Sequence, residues 1–308
     1  MLYRSAPIGE QATSSRWVPA ASIVAALILA IALPFLAPGF LTRLTAQFLP
    51  LVLLAVSVDL LWGESRIISF GHAAFFAAGG YVGGLILKGA RGDVVGAQVQ
   101  FLLTDAEKPW LDRTLEQAHA VQVLGVPLLA LLIPPLVTGL VGLVIAVVVF
   151  RVSSPDIYVS LLTLGIGVVA SLWFNSVPEL GGSNGLSGIP SLSGSIGGLA
   201  REQTSYLLTL ALTALAILGY GVFRRSRIGL LWRALGDDSV RLEAFGYPIW
   251  RIRVMGFAAS AALAGLAGVL FAAAAGYMGP ALAGVLFGTQ AVIWVAVGGS
   301  GTLLGPVI

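Results

Sequence analysis

The chain alternates between apolar runs and short polar breaks, and the length of those runs predicts its elements. A helix needs about 20 apolar residues to cross a hydrocarbon core of roughly 30 Å. Runs of that order, bounded by charge, Gly or Pro, fall at 18–37, 46–62, 70–88, 124–150, 156–174, 204–223, 254–275 and 283–297, the last being short. The pattern predicts an all-α, polytopic transmembrane bundle of about eight spans, a single domain over 1–308. The run from Val18 to Phe35 follows Arg4 and Arg16, as the core of a signal peptide would. It is long enough to span, however, and Pro34-Phe35-Leu36 is a poor small-residue cleavage site, so it reads as the first transmembrane helix.

Two polar stretches set the sidedness. The 90–123 stretch interleaves Asp93, Asp105, Glu107, Lys108, Asp112, Arg113, Glu116 and His119 with Trp110 and Leu111, and reads as an external, periplasmic insertion. Within it Leu111 to Ala120 fits either a short amphipathic helix on the membrane surface or a solvated loop. The second stretch, 224–253, holds 7 of the 17 Lys and Arg residues. Short loops rich in Lys and Arg resist translocation and mark the cytoplasmic side. With a cytoplasmic N-terminus, counting crossings puts Arg66, Arg151 and 224–253 inside, and 89–123 and 175–203 outside.

Composition agrees with this picture and removes other function classes. Of the 308 residues 57% are hydrophobic and 10% charged, against about 25% charged in soluble proteins. The net charge of +3 arises from the asymmetry between loops, which argues against a nucleic-acid-binding face. With no Cys, disulfides and cysteine-based metal or nucleophile chemistry are excluded. No HExxH or paired intramembrane aspartate is present, so an enzyme is not expected. There is no Walker motif either, so if ATP drives this protein, another polypeptide hydrolyses it.

Polar residues at membrane depth are functional candidates. Asp59 closes an apolar run as a pathway or partner contact, or as a helix-end acid paired with Arg66. Ser69-Phe70-Gly71-His72 opens the next run with a cap-like Ser, compatible with a broken helix whose free N–H groups face an anionic substrate group, or with an ordinary capped helix. His72 has no metal-ligand partner at a recognisable spacing; it lines a pathway or serves as a hydrogen-bonded structural residue. Asn184 lies in the Gly-rich stretch 175–190, which meets a delivered substrate or docked protein, or simply turns. Small residues recur at Gly79/Gly83, Gly80/Gly84 and Ala261, Gly265 and Gly268, as at close helix crossings. The 224–247 segment mixes Arg, acids and apolar residues at helical spacing, and a short helix there could present Leu231, Trp232 and Leu235 to a partner groove.

Four groups of motifs carry a family resemblance. They are Asp59-Leu60-Leu61-Trp62-Gly63 with Ser69-Phe70-Gly71-His72-Ala73-Ala74-Phe75-Phe76 and Gly79-Gly80-Tyr81; Ile157-Tyr158 with Leu162-Thr163-Leu164 and Gly181 to Gly188; Ser226-Arg227-Ile228-Gly229, Arg233-Ala234 and Glu243-Ala244-Phe245-Gly246 with Ser260-Ala261 and Ala264 to Gly268; and Trp294 to Gly299 leading to Gly305-Pro306. In this order they resemble the branched-chain amino acid permease family of bacterial ABC importers, which includes a urea-type branch. The resemblance implies an inner-membrane, multi-pass permease without an ATPase site or cofactor of its own. Its implied partners are a second permease, two ATP-binding cassette ATPases that consume the ATP, and a periplasmic substrate-binding protein. It also implies that Arg227, Gly229, Arg233, Ala234, Glu243, Ala244 and Gly246 form the ATPase-coupling loop; it transfers no substrate-contact residues, and Asp59, Ser69, His72 and Asn184 are pathway candidates on their own residue chemistry. Glu64-Ser65-Arg66 departs from the uncharged, Tyr-containing turn typical of the family, which bears on substrate. Branched-chain amino acids are favoured, with urea or short amides the alternative and an ATP-independent secondary transporter a second. The family pattern continues through further helix after the Gly-Pro motif, so ending at Ile308 implies a fragment or a shortened member.

Overall fold

A computed structural model describes residues 20–90, 108–151, 156–192 and 200–301. Residues 91–107, half of the 90–123 insertion, and the Gly305-Pro306 motif lie outside the described residues. In chain order the helices are α1 (Ala20–Leu36), α2 (Gly39–Ser65), α3 (His72–Ala90), α4 (Lys108–Arg151), α5 (Asp156–Ser176), α6 (Arg201–Arg225), α7 (Arg227–Asp237), α8 (Ser239–Ala244), α9 (Ile249–Ala275) and α10 (Val285–Gly298). Each predicted apolar run coincides with one of them. Among the described residues five helices, at Gly39–Ser65, Pro127–Arg151, Tyr158–Ser176, Glu202–Arg225 and Ile249–Ala275, are long and apolar enough to cross a membrane, and Val285–Gly298 is a shorter apolar helix. Residues 111–120 form part of the continuous helix α4, which runs for 44 residues into the span.

α2, α3 and α9 form the packed centre, with α4 and α6 against them and α5 further out. Lipid supplies little hydrophobic force between helices, so close backbone approach must hold them. The small residues of α3 and α9 face each other to provide it. A Cβ on Gly79 would collide with the backbone of Gly265, and one on Gly268 with the carbonyl of Phe76. Gly142 of α4 meets Ala261 in the same way, so the small-residue stripe of α9 serves two crossings.

Contacts fix which ends lie together. At one end α2 begins beside the start of α6, with an Arg43–Glu202 ion pair of 2.8 Å and Gln203 donating to the Pro34 carbonyl at 2.9 Å. There the Gly-rich stretch turns through two short 3₁₀ helices, Pro178–Leu180 and Gly182–Asn184. It then forms β1 (Leu186–Ser187), which pairs antiparallel with β2 (Tyr277–Met278) beyond α9. At the other end Arg151 stacks over Trp250, and residues 59–66, 220–237 and 301 converge. This Arg-rich end carries Arg66, Arg151 and the 224–253 segment, which crossing parity assigns to the inside.

Candidate functional site

The Arg-rich end is organised around two acids of α2. Asp59 and Glu64, both on α2, are 0% and 2% exposed. Charges buried in a bundle are tolerated only when paired. The Glu64 carboxylate ion-pairs with Arg224 Nε through Oε1 and with Arg233 Nε through Oε2 at 3.2 Å. The Tyr220 hydroxyl lies 3.2 Å from Asp59 Oδ2 and 3.3 Å from Glu64 Oε1; with one proton, it serves one carboxylate at a time. Asp59 Oδ1 accepts the Gly301 N–H at 2.7 Å, and the Gly301 carbonyl accepts from Arg224 Nη2 at 2.7 Å. The cluster thus sets two carboxylates against two guanidiniums, tying α2 to α6, to α7 and to the turn after α10.

Local sequence makes this possible. Gly63 lies one turn after Asp59, and a Cβ there would stand 2.6 Å from the Gly301 nitrogen. Gly301 itself has φ of 78°, a conformation L side chains rarely adopt. Glycine is therefore required on both sides of the contact.

The predicted coupling segment forms two helices joined at Asp238. Ser226 caps α7 by accepting the Gly229 N–H at 3.2 Å, and Asp238 caps α8 by accepting the Arg241 N–H at 2.9 Å. One expectation is corrected. Trp232 and Leu235 are 2% and 4% exposed and pack on Val56, Leu60, Tyr220 and Ile252 of their own chain, with Leu231 against the same cluster. The apolar face of α7 is used to dock it on the bundle, so it is not offered to a partner. What is offered is the tip beyond it: Val240 is 76% exposed, Phe245 73% and Tyr247 43%. Arg227, Glu243, Ala244 and Gly246 are exposed, Ala234 is half-buried, and Gly229 is buried. A Cβ on Gly229 would meet the carbonyls of Phe223 and Arg224. Arg233 turns inward, to Glu64 and the Arg224 carbonyl.

Asp59 is held by Gly301 and Tyr220, while Arg66, the partner the sequence offered, pairs with Asp237 at 3.4 Å on the surface. Ser69 is 1% exposed and its hydroxyl has no hydrogen-bond partner among the described residues, so it caps no helix. The approach to α3 is braced by α5 instead: Thr163 Oγ1 accepts the Phe70 N–H at 3.2 Å, and Ser160 Oγ donates to the Ile68 carbonyl at 2.7 Å. His72 Nε2 bonds to Ser260 Oγ on α9, which donates to the Ser57 carbonyl on α2 at 2.6 Å. Ser260 has one proton and gives it to Ser57, so it accepts from His72, whose proton therefore sits on Nε2. His72 is a knot between three helices, packed against Phe75 and Phe257. Asn184 lies exposed at the opposite end, apart from the other three.

These contacts join motifs far apart in sequence: Asp59–Gly63 meets Gly301, Phe70-Gly71 meets Thr163, and Gly79–Gly80 meets Gly265–Gly268. The family profile described as "Branched-chain amino acid transport system / permease component" matches residues 40–308, which includes every one of them. The chain belongs to that family. The high-affinity branched-chain amino acid transport system permease protein LivM of Escherichia coli (strain K12) is 26% identical over 284 residues, covering 84% of this chain and 58% of the relative. LivM of Salmonella typhimurium is 25% identical over the same shares. The chain thus spans 58% of the length of the curated relatives it matches. No solved structure matches it significantly.

As a permease-family member the chain has a network that motif reading found only in part. Glu64 stood out as a departure bearing on substrate, yet its carboxylate is taken up by Arg224 and Arg233 within the chain. Tyr220, Arg224, Ser260 and Gly301 were not singled out as site residues. The available signal was charge balance: two acids near the end of α2 need cations, and Arg224 and Arg233 both belong to the Arg-rich segment.

Proposed function

We propose that this chain is a permease subunit of an ABC importer that moves branched-chain, hydrophobic amino acids across the bacterial inner membrane, driven by separate ATPase subunits and supplied by a periplasmic binding protein. A second permease completes the pathway, and the Arg-rich end faces the cytoplasm. The observation that carries the reading is the projecting α7–α8 unit, whose tip exposes Val240 and Phe245 while its root is locked to α2 through Arg233 and Glu64. A partner that grips the tip moves α2 with it, because α7 is fixed by both the ion pair of Arg233 to the buried Glu64 carboxylate and its own apolar face. A stand-alone carrier has no use for such a surface. The names of the two relatives favour branched-chain amino acids over urea.

Mechanistically, the ATPases close on ATP and shift the permease between outward- and inward-open states, by as much as ATP's affinity differs between the two. In the assembled transporter, Glu243→Ala removes a charged group at the gripped tip and Arg233→Ala cuts the root. Both are expected to leave ATP hydrolysis running while uptake falls at least tenfold. Normal uptake by fully assembled complexes of both variants would overturn the coupling role of α7–α8.

A further inference from the structure

The end opposite the arginine cluster holds a cavity of about 240 Å³ that the coupling account does not use. Arg43 of α2 and Glu202 of α6 stand on one side of it, Ala273 and Ala275 at the close of α9 on another, and Ile189 after β1 on a third. It is somewhat smaller than the roughly 300–1,000 Å³ of pockets for drug-sized ligands, and suits a small metabolite. Its charged groups come in a pair of opposite sign. Arg43 Nη2 meets Glu202 Oε1 at 2.8 Å, with the side chains 62% and 37% exposed, so both heads can be reached from outside. Exposed ion pairs contribute little, and a ligand carrying both charges can replace one such pair with two.

We infer that this cavity is an outer receiving site for a zwitterionic amino acid, with its carboxylate on Arg43 and its ammonium on Glu202. The inference rests on the importer reading and names the site at which substrate first meets this chain. The ammonium gains from the C-terminal end of α9, where the negative end of the helix dipole lies. Ala46, Ile189 and Ala273, 3%, 5% and 5% exposed, give the side chain an apolar wall. Small residues at 273–276 leave the room, and the Ile189 N–H bond to the Gly276 carbonyl at 3.1 Å holds the loop against α9. A neutral amide such as urea has no need of the charge pair.

The test uses the absence of native cysteine. Ser205 lines the cavity, so Ser205→Cys gives this chain a single thiol, whose maleimide labelling is followed in the assembled transporter without ATP. Leucine at millimolar concentration is expected to slow labelling at least fivefold, while urea, leucinamide and 4-methylpentanoate at the same concentration do not. Adding Arg43→Gln or Glu202→Gln should raise the leucine concentration needed at least tenfold. The exchange Arg43→Glu with Glu202→Arg keeps a charge pair if either single variant fails to assemble, and should likewise lose protection, because the ammonium side then faces a cation. Equal protection by leucine and urea, protection unchanged in the variants, or protection by glycerophosphoethanolamine in place of leucine would overturn the site, the last making it a lipid-headgroup pocket. Because labelling needs no ATP, protection without ATP-driven uptake would sink the importer reading alone, and uptake without protection would sink this site alone.

Discussion

Glu64 shows how one side chain can stand for a connection between elements. Its carboxylate is buried against Arg224 and Arg233, and removing one member of a buried pair leaves the others uncompensated. Glu64→Gln is expected to destabilise the chain by about 3 kcal/mol, the low end for such a loss because Arg233 is 43% exposed and can reach solvent. The Arg241–Asp238 pair, with its arginine 76% exposed, is the control: Arg241→Ala should cost less than about 1 kcal/mol. Thermal unfolding in detergent separates the two, and equal effects would contradict the burial argument. Asp59 was legible as a charge in an apolar run, but its partners Tyr220 and Gly301 lie 161 and 242 residues away. Sequence spacing carries no distance information across such gaps, so Arg66 stood in for them. His72 was legible as a hydrogen-bonded residue, while Ser260, its partner, was hidden in a run of alanines.

Helices were the most legible part of the chain, because an apolar run of spanning length has few other uses. Their ends were less so: α2 begins at Gly39 and α9 at Ile249, both several residues before the apolar runs that announced them. Polar and charged residues such as Arg43 and Arg251 continue these helices past the hydrocarbon level. The glycine stripes were read correctly as a crossing signal, but only the structure pairs α3 with α9. Gly268→Leu forces a side chain into the Phe76 carbonyl and should cost about 1–3 kcal/mol or more. Gly165→Ala on α5 meets nothing within 4 Å and should be tolerated. Yield and monodispersity of the purified complex report the difference. Equal behaviour would mean that the α3–α9 contact is looser than described. The apolar face of α7 was legible by its spacing, but its destination was not: an amphipathic helix beside a bundle can pack at home or on a partner, and the pattern is the same for both.

For the whole molecule the account rests on sidedness and on energy source. The contacts that gather residues 59–66, 220–237 and 301 at one end and 30–43, 184–190 and 200–206 at the other accord with the parity of the charged loops. Phe245→Cys and Asn184→Cys, each the single thiol of the chain, should label from opposite faces in intact cells: Asn184→Cys by an impermeant maleimide, Phe245→Cys only after permeabilisation. Labelling of both from outside would break the topology, and the reverse pattern would invert it. Energy source decides between the importer and any ion-driven carrier. The most direct measurement is uptake of labelled leucine by cells carrying the complete transporter, with and without this chain, under ATP depletion and under collapse of the proton gradient. Uptake that requires the chain, falls with ATP and survives loss of the gradient is the predicted result; uptake that falls only with the gradient would contradict it.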